Sequence, residues 1–589
     1  MTIPPAVAAA RALIADLITR GVRDVVLAPG SRSAPLAYAL AESADAGRLT
    51  LHVRVDERDA GFLALGLAKG GDGAPVAVVT TSGTAVANLH PAVLEASHTG
   101  LPLILLTADR PHELRGTGAS QTTDQVGIFG SAVRFAVDVP APSAAADYDD
   151  GAQGLRDLRS VTARAVDAAL GLRSGHPGPV HLNLAFRDPL TPSAPLPGPA
   201  APAQEGHPKP DPPLVVPVVP QHLTSPALPG DPARTVVVAG DGAGPDARRL
   251  AEAQGWPLFA EPSSGSTGGP NAVAGYRLLL GSDELADGIE QVVVLGRPTL
   301  SRPVQRLLGR PAVAVTVVAP GAAPWPDAAR NAAVVLPGLA APWFEPTGEP
   351  PTSFLERWQA AGAAAAGVLD QATCDDAVLG GPTALSVARA VARVLGPADL
   401  LVVGSSNPVR DLELVLGLDG SGPEVLANRG LAGIDGTVST SVGVALAAAR
   451  RGLRTRALLG DLTFLHDVGG LLRGPDEPPV DLEIVVVNDD GGSIFATLEH
   501  GALAATGDGA GATFERVFGT PHGANLAQLC AGYGVDHQLV KDVPTLRHAL
   551  QAPSHGVQVI EVRVPRADRL TESRALAAEV MAAATSIAP

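Results

Sequence analysis

Short apolar runs, each closed by small or charged residues and followed by a helix-length stretch, recur along almost the whole chain. This alternation limits the fold more than any other feature. The N-terminal third carries DVVLAPGSRS, LHVRVDER, PVAVVTTSG, LPLILLTADRP and GPVHLNLAF. A middle stretch carries RTVVVAGDG, QVVVLGRPTL, AVAVTVV and AAVVLP, and the last third DLLVVGSSNPV, EVLANRG, RTRALLGD, LEIVVVND and VQVIEV. The pattern predicts β-α units on parallel sheets, with the active loops at the carboxyl ends of the strands. At 589 residues the chain is too long for a single core. Residues 1–190 are expected to form one α/β domain, 233–365 a central one and 375–589 a third. Between the first two, residues 191–232 are too rich in proline for regular helix or central strand and read as a linker.

Composition narrows the function classes. Residues are 46% hydrophobic but only 3% aromatic, so the cores are aliphatic, and a net charge of −17 argues against nucleic acid or an anionic membrane as partner. The N-terminal stretch MTIPPAVAAARALIADLITRGVRD has no basic region ahead of its apolar part and no uninterrupted apolar span, and reads as an amphipathic helix rather than a signal or anchor. Two cysteines, Cys374 and Cys530, make no disulfide framework and lack metal-ligand spacing, which favours a cytoplasmic setting. Neither G-x-S-x-G nor H-E-x-x-H occurs, which leaves hydrolase and zinc chemistry without support.

Two strand ends are acidic. RALLGDLTFLHD ends a strand at Gly460-Asp461, and VVVNDDGGSIF ends another at Asn488-Asp489. Asp461 precedes Asp489 by 28 residues, room for one helix and a return strand, so both carboxylates are expected above the same sheet edge. Hard oxygen ligands beside free backbone amides suit Mg²⁺ with a diphosphate. Taken singly, each acid reads equally as a turn residue or helix N-cap. Gly71-Asp72-Gly73 and Gly240-Asp241-Gly242 lack an acid or amide pair at this distance and are read as turns. Glu57, in HVRVDERDAGFLALGLAKG, follows an apolar run and opens a helix. An exposed helix-start carboxylate is the plain reading of its type.

The Asp461–Asp489 spacing resembles the thiamine-diphosphate motif, in which Gly-Asp is followed after about 26 residues by Asn-Asn. The resemblance implies Asp461, Asp489 and the Gly491 carbonyl as ligands of Mg²⁺ or Mn²⁺. It also implies Gly433, Ile434, Gly460, Leu462, Thr463, Gly492, Ser493 and Ile494 as cofactor contacts, with Ile434 the apolar wedge under a bent cofactor. This chain departs from the motif in having Asp489 where the second asparagine stands, which adds a negative charge to the metal shell. Together with APGSRSAPL, TSGTAVANLHPAVLEA, LTADRP, GASQTTDQVGIFG, TLSRPVQRLL, GSSNPVRDLEL and ANRGLAGIDGTVSTSVGVA, the sequence resembles the 2-succinyl-5-enolpyruvyl-6-hydroxy-3-cyclohexene-1-carboxylate synthases of menaquinone biosynthesis. The likeness spans nearly everything but the linker and a loop at 500–520.

That family implies a pyrimidine-binding, a central and a diphosphate-binding domain in this order. It implies Glu57 as the acid beside the aminopyrimidine, and an active site shared between two copies of the chain in a dimer or tetramer. The implied reaction decarboxylates 2-oxoglutarate and adds the succinyl-semialdehyde carbanion 1,4 to isochorismate. Both substrates are dicarboxylates, for which arginine is the matching residue. The family motifs place Arg32, Arg110, Arg302, Arg410 and Arg429 at turns after apolar strands, with Gln121 and Ser406 adding neutral hydrogen bonds and Phe495 lining the pocket. Ser301 and Ser120 stand where relatives have Lys and Asn, so two substrate donors are missing. The alternative is another thiamine-dependent 2-oxo acid enzyme, a decarboxylase or an acetolactate-synthase-like carboligase, which would share Glu57 and Asp461 without needing Arg32, Arg302 and Arg410 together.

Overall fold

Parallel pairing governs all three sheets found in a computed structural model of the chain, which describes residues 3–150, 152–192, 215, 232–346, 352–374, 381–417, 423–504, 510–566 and 569–586. Almost all of the proline-rich stretch expected as a linker lies outside the described residues. The first sheet contains β1 (Asp24–Leu27), β2 (Thr50–Val53), β3 (Val76–Thr80), β4 (Leu103–Asp109), β5 (Phe135–Val139) and β6 (Val180–Ala185), in the order β2-β1-β3-β4-β6-β5. The second contains β7 (Thr235–Ala239), β8 (Leu258–Ala260), β9 (Gln291–Leu295), β10 (Ala314–Val318) and β11 (Ala332–Leu336), in the order β11-β10-β9-β7-β8. The third contains β12 (Asp399–Val403), β13 (Glu424–Leu426), β14 (Arg454–Gly460), β15 (Leu482–Asn488), β16 (Asp536–Val540) and β17 (Val557–Arg563), in the order β13-β12-β14-β15-β17-β16. These are the α/β domains with parallel sheets expected of a thiamine-diphosphate enzyme. All strands of a parallel sheet end at one edge, so each sheet gathers its post-strand loops on one side.

Every apolar run quoted above forms a strand, and the N-terminal stretch forms the Pro5–Thr19 helix. The runs without a clear signal are β5, β8 and β16, and each is an edge strand. An edge strand is half solvated, so its residues need not be apolar: β5 alternates half-buried with exposed, and β16 reads DHQLV.

Packing divides the chain into two compact units: unit 1 is Met1–Val219 with Gly430–Arg451 and Asp467–Val480, and unit 2 is the remainder. The sheet of β12–β17 thus belongs to unit 2, while two stretches inside 375–589 pack with the first sheet's helices. In unit 1 the aliphatic core lies between the first sheet and the Pro5–Thr19, Ala34–Asp45 and Gln153–Leu170 helices. In unit 2, Trp358 and Phe259 anchor the core of the central sheet, and the third sheet packs on the Ala384–Val394 and Val543–Gln551 helices.

Two contacts fix the 430–451 stretch within unit 1. Arg450 donates to both oxygens of Asp24 at 2.5 and 2.7 Å, and His52 Nε2 lies 2.9 Å from the same carboxylate. Burial would raise the Asp24 carboxyl, but these hydrogen bonds outweigh it and hold it at about 2. Its stabilising contribution is therefore present above the ordinary aspartate range and is lost only as pH falls toward that value. The Glu57–Gly70 and Thr437–Ala449 helices pack so closely that a Cβ on Gly66 would sit 2.1 Å from the Thr440 carbonyl oxygen, and one on Gly443 2.2 Å from that of Leu63. Backbone faces backbone at both points, and nothing flexible can yield. Gly443→Ala is expected to lower stability by about 1–3 kcal/mol, read as a lower thermal midpoint of the full chain; an unchanged midpoint would contradict the packing described.

Candidate functional site

In unit 2 four neighbouring strand ends carry the predicted residues in order. Arg429 follows β13, Ser406 and Arg410 follow β12, Asp461 follows β14 and Asp489 follows β15. At about 4.8 Å per strand the row spans roughly 14 Å. β14 and β15 pair directly, with Gly460 opposite Val487, so the two carboxylates stand side by side as the spacing predicts. The crossing between them differs from the single helix expected. It is a six-residue helix, Asp461–His466, then a 3₁₀ turn, Val468–Leu471, and the 467–480 part packs with unit 1.

Asp461 is held by three donors. Leu462 N–H donates to Oδ1 at 2.7 Å, Gly491 N–H to Oδ2 at 2.9 Å, and His522 Nε2 lies 3.1 Å from Oδ2. Ala524 N–H donates to Nδ1 of His522 at 2.9 Å, so the ring proton sits on Nε2 and His522 is the donor to Asp461. Burial pushes the Asp461 carboxyl up, against these donors. Asp489 is pushed up to about 6, by burial first and then by the Asp461 charge, against a hydrogen bond from Ser493. Its Oδ1 is buried without a hydrogen-bond partner.

Four lone-pair sites per carboxylate leave one on Asp461 Oδ1 and both on Asp489 Oδ1. Two desolvated carboxylates with unmet acceptor capacity fit a hard divalent cation. Among the described residues no three His, Cys, Asp or Glu side chains converge on a metal site, so an ion here would complete its shell with backbone, water or phosphate oxygens, the habit of Mg²⁺.

The loop after β15 is tighter than a simple cofactor cradle. A Cβ on Gly491, at φ +145°, would lie 2.0 Å from the Gly519 carbonyl oxygen, and one on Gly492 2.4 Å from that of Phe518. Both glycines are therefore required by the 518–519 backbone, whatever else approaches them. Ser493 is buried and accepts from Asn407 Nδ2 at 2.7 Å; Ile494 and Phe495 are half-buried. Phe495 packs on Phe518, which stacks on His500 at 4.5 Å. The 500–520 stretch, read as a loop, contains the Glu499–Ala504 and Ala510–Phe514 helices and a π turn at 515–519; residues 505–509 lie outside the described chain. Asp490 accepts from His522 N–H and Gly523 N–H, which fixes the turn carrying His522. Gly460 and Leu462 are half-buried, and Thr463 is buried.

Arg410, Arg429 and Arg277 of unit 2 form one cluster. Arg410 donates to the carbonyls of Ser406 at 2.6 Å and Leu300 at 3.5 Å. Buried Arg429 donates to Thr299 Oγ1 at 3.0 Å and Ser405 Oγ at 3.3 Å. Arg277, not predicted, donates to the Arg410 carbonyl at 3.0 Å and pairs with Glu413 at 2.9 Å. Burial, then the charges of Arg429 and Arg277, weaken the hold of Arg410 on its proton. The nearby Glu261 carboxyl is pushed to about 8 by burial and by Glu413, so it is neutral at pH 7 and supplies no counter-charge. Ser406 has a positive φ of 77°. Two positional expectations are corrected: Arg302 and Arg410 lie in the first turns of the Arg302–Leu308 and Asn407–Val415 helices, not in turns. A proline at the second position of each carries the strand end straight into helix. Arg302 is 64% exposed and pairs with exposed Glu499.

Unit 1 holds the rest. Glu57 is the first residue of its helix, N-capped by Asp56, and its Oε2 accepts from Asn88 Nδ2 at 3.1 Å. Arg32, after β1, is buried and donates to the Phe186 carbonyl at 3.0 Å, with Nε unpartnered. Arg110, after β4, donates to the Ser120 carbonyl at 3.0 Å, also with Nε unpartnered. Gln121, at φ +54°, exchanges hydrogen bonds with Ser82 at 2.8 and 2.9 Å. Gly433 and Ile434 are half-buried just ahead of the Thr437–Ala449 helix, and the Ile434 carbonyl accepts from Thr437. Glu57, Arg32 and Arg110 share one sheet edge because they follow β2, β1 and β4 of the same parallel sheet.

Residues 8–128, which include Arg32, Glu57, Arg110 and Gln121, match the family described as thiamine pyrophosphate enzyme, N-terminal TPP binding domain. Over its length the chain is similar to proteins named 2-succinyl-5-enolpyruvyl-6-hydroxy-3-cyclohexene-1-carboxylate synthase. One from Kineococcus radiotolerans is 50% identical, over 98% of this chain and 99% of the relative. One from Paenarthrobacter aurescens is 48% identical, over 95% and 94%, and one from Mycobacterium sp. (strain JLS) 45%, over 98% and 100%. At this identity over the whole length, with the strand-end acids and arginines in place, the chain belongs to the 2-succinyl-5-enolpyruvyl-6-hydroxy-3-cyclohexene-1-carboxylate synthase family of thiamine-diphosphate-dependent enzymes.

Proposed function

We propose that the protein catalyses the thiamine-diphosphate-dependent decarboxylation of 2-oxoglutarate and the 1,4-addition of the resulting succinyl-semialdehyde carbanion to isochorismate, with release of CO₂ and formation of the product that gives the family its name. The observation that carries this reading is the arginine cluster of unit 2, where buried Arg429 and half-buried Arg410 make no ion pair with a carboxylate among the described residues and lie on the same row of strand ends as the Asp461–Asp489 pair. A decarboxylase or carboligase working on a neutral side chain has no use for desolvated guanidiniums; a dicarboxylate does. Bound thiamine diphosphate supplies the electron sink for CO₂ loss and the nucleophilic carbon for the addition.

The chain's own residues bind, orient and move a proton. Asp461 and Asp489, with the Gly491 carbonyl, hold Mg²⁺ or Mn²⁺ against the diphosphate, and His522 keeps Asp461 oriented. Gly433, Ile434, Gly460, Leu462, Thr463, Gly492, Ser493 and Ile494 would line the bound cofactor. Glu57 would offer Oε1 for proton exchange with a bound aminopyrimidine, since Oε2 accepts from Asn88. Arg410, Arg429 and Ser406 receive the carboxylates of 2-oxoglutarate. Arg32, Arg110, Gln121 and Arg302 orient isochorismate, with Phe495 packing against it.

The chain is further proposed to self-associate in the cytoplasm, with Glu57 of one copy serving the cofactor of another. Exposed Val53 and Val55, just before Glu57, are the apolar surface such an interface would cover. Among the described residues no helix is long and apolar enough to cross a membrane.

Glu57→Gln is expected to lower kcat by about 10²–10⁴-fold with the thermal midpoint unchanged; near-normal turnover would remove Glu57 from proton transfer. For Arg410→Ala, loss of a charge-assisted contact worth about 3 kcal/mol predicts a fall of about 100-fold in kcat/KM for 2-oxoglutarate, and equal kinetics would exclude it from the substrate site. Thiamine diphosphate with Mg²⁺ at about 100 times the Kd should stabilise the wild-type chain by about 2.7 kcal/mol. Asp461→Ala should abolish that gain in a melting experiment, whereas a retained shift would place the metal elsewhere.

A further inference from the structure

Two residues after Glu57, Asp59 is buried in the first turn of the same helix. Its carboxyl faces that of Asp467, also buried, at the start of the second outlying stretch of unit 1. Asp467 accepts with both oxygens, from Ser439 N–H at 2.6 Å and Ser439 Oγ at 3.1 Å, in the first turn of the Thr437–Ala449 helix. The contact is tight: a Cβ on Gly469 would lie 2.9 Å from Asp59 Oδ2. The two carboxyls therefore join the first turns of the paired helices to the 467–471 turn, beside the residue proposed to exchange the proton.

Two carboxyl groups hydrogen-bond to each other only if a proton lies between them. The nearby charges do not offer another solution. Arg58 is committed to Asp56, on the same turn, and Arg54 to Glu477 at 2.6 Å; Arg473 faces Arg54 and Glu477 and donates to the Pro478 carbonyl. Asp467, at a helix N-terminus with both oxygens accepting, is suited to the charge, which leaves the proton on Asp59. Burial first pushes both groups above the ordinary aspartate range, helped by the Asp56 charge at Asp59 and by the Asp59 charge at Asp467.

We propose that Asp59 and Asp467 are positioning residues for Glu57: they share one proton at neutral pH, and that proton ties the first turn of the Glu57 helix to the 467–471 turn. Loss of the proton leaves two like charges facing each other and loosens the turn that carries Glu57. Because the folded chain binds this proton more tightly than the unfolded one, stability falls as pH rises and the loss is complete once the shared proton has gone. The link to catalysis rests on the reading of Glu57 given above; the shared proton does not.

The test compares the full wild-type chain with Asp59→Asn, Asp59→Ala and Glu57→Gln, by thermal melting from neutral to alkaline pH and by kcat and KM with thiamine diphosphate, Mg²⁺ and both substrates. Asparagine donates to Asp467 without a titratable proton. Asp59→Asn is expected to remove the alkaline fall in thermal midpoint and the matching fall in kcat. Asp59→Ala should lower kcat about ten-fold or more with KM for 2-oxoglutarate unchanged, the signature of a displaced catalytic group. An Asp59→Asn chain that melts and turns over on the wild-type pH profile overturns the shared proton. Glu57→Gln should keep the wild-type melting profile while losing turnover; if it keeps turnover, the reading of Glu57 fails instead, and the two failures are told apart.

Discussion

Two carboxylates held out of water at the ends of adjacent parallel strands are a cost that the rest of this site is built to meet. β14 and β15 set Asp461 and Asp489 side by side, and burial raises both. Three donors steady Asp461, while Asp489 Oδ1 has none. In a low-dielectric pocket an unmet acceptor next to a second acid is unfavourable unless a cation completes it. The metal and diphosphate proposed for this site would answer that demand, and Asp490 fixes the turn that brings His522 to Asp461.

The same sheet edge resolves the opposite problem on its other side. Arg410, Arg429 and Arg277 crowd positive charge where burial pushes the Glu261 carboxyl up to about 8 and Glu413 forms an ion pair with Arg277 alone while sharing its field with the other two. A net charge of −17 makes the surrounding field unfavourable to a dianion, so the local cluster has to overcome it at close range. One row of strand ends thus runs from an arginine-rich end to an acidic end, which suits the proposed binding of a charged cofactor tail beside a charged substrate.

Much of this was legible in the sequence because it follows from strand ends. Apolar runs mark every central strand, and a residue just after such a run in a parallel sheet lies at the carboxyl edge whatever the details; Asp461, Asp489 and Glu57 stand out in that way, while Arg429 is singled out by the family motifs. The edge strands β5 and β16 carry little signal because half-solvated strands do not need to look apolar, and β8 carries little because its apolar run, Leu258–Ala260, is only three residues long. His522 carried no signal: a lone histidine in GTPHGAN is fixed only by a turn that Asp490, 32 residues away, holds in place. Nor does sequence tell that 430–451 and 467–480 pack with unit 1, since that depends on Gly66 and Gly443 letting two helix backbones touch. The family likeness implies Gly491 as a metal ligand through its carbonyl and Gly492 as a cofactor contact, whereas the backbone at 518–519 already requires both to be glycine.

The central claim is that one chain couples loss of CO₂ from 2-oxoglutarate to carbon–carbon bond formation with isochorismate. The most direct measurement incubates the purified protein with thiamine diphosphate, Mg²⁺ and 2-oxoglutarate, with and without isochorismate, and follows products by mass. The account predicts a new species combining isochorismate with 2-oxoglutarate less CO₂, formed only when cofactor and both substrates are present. Turnover of pyruvate in preference to 2-oxoglutarate, or CO₂ release with no isochorismate adduct, would contradict it.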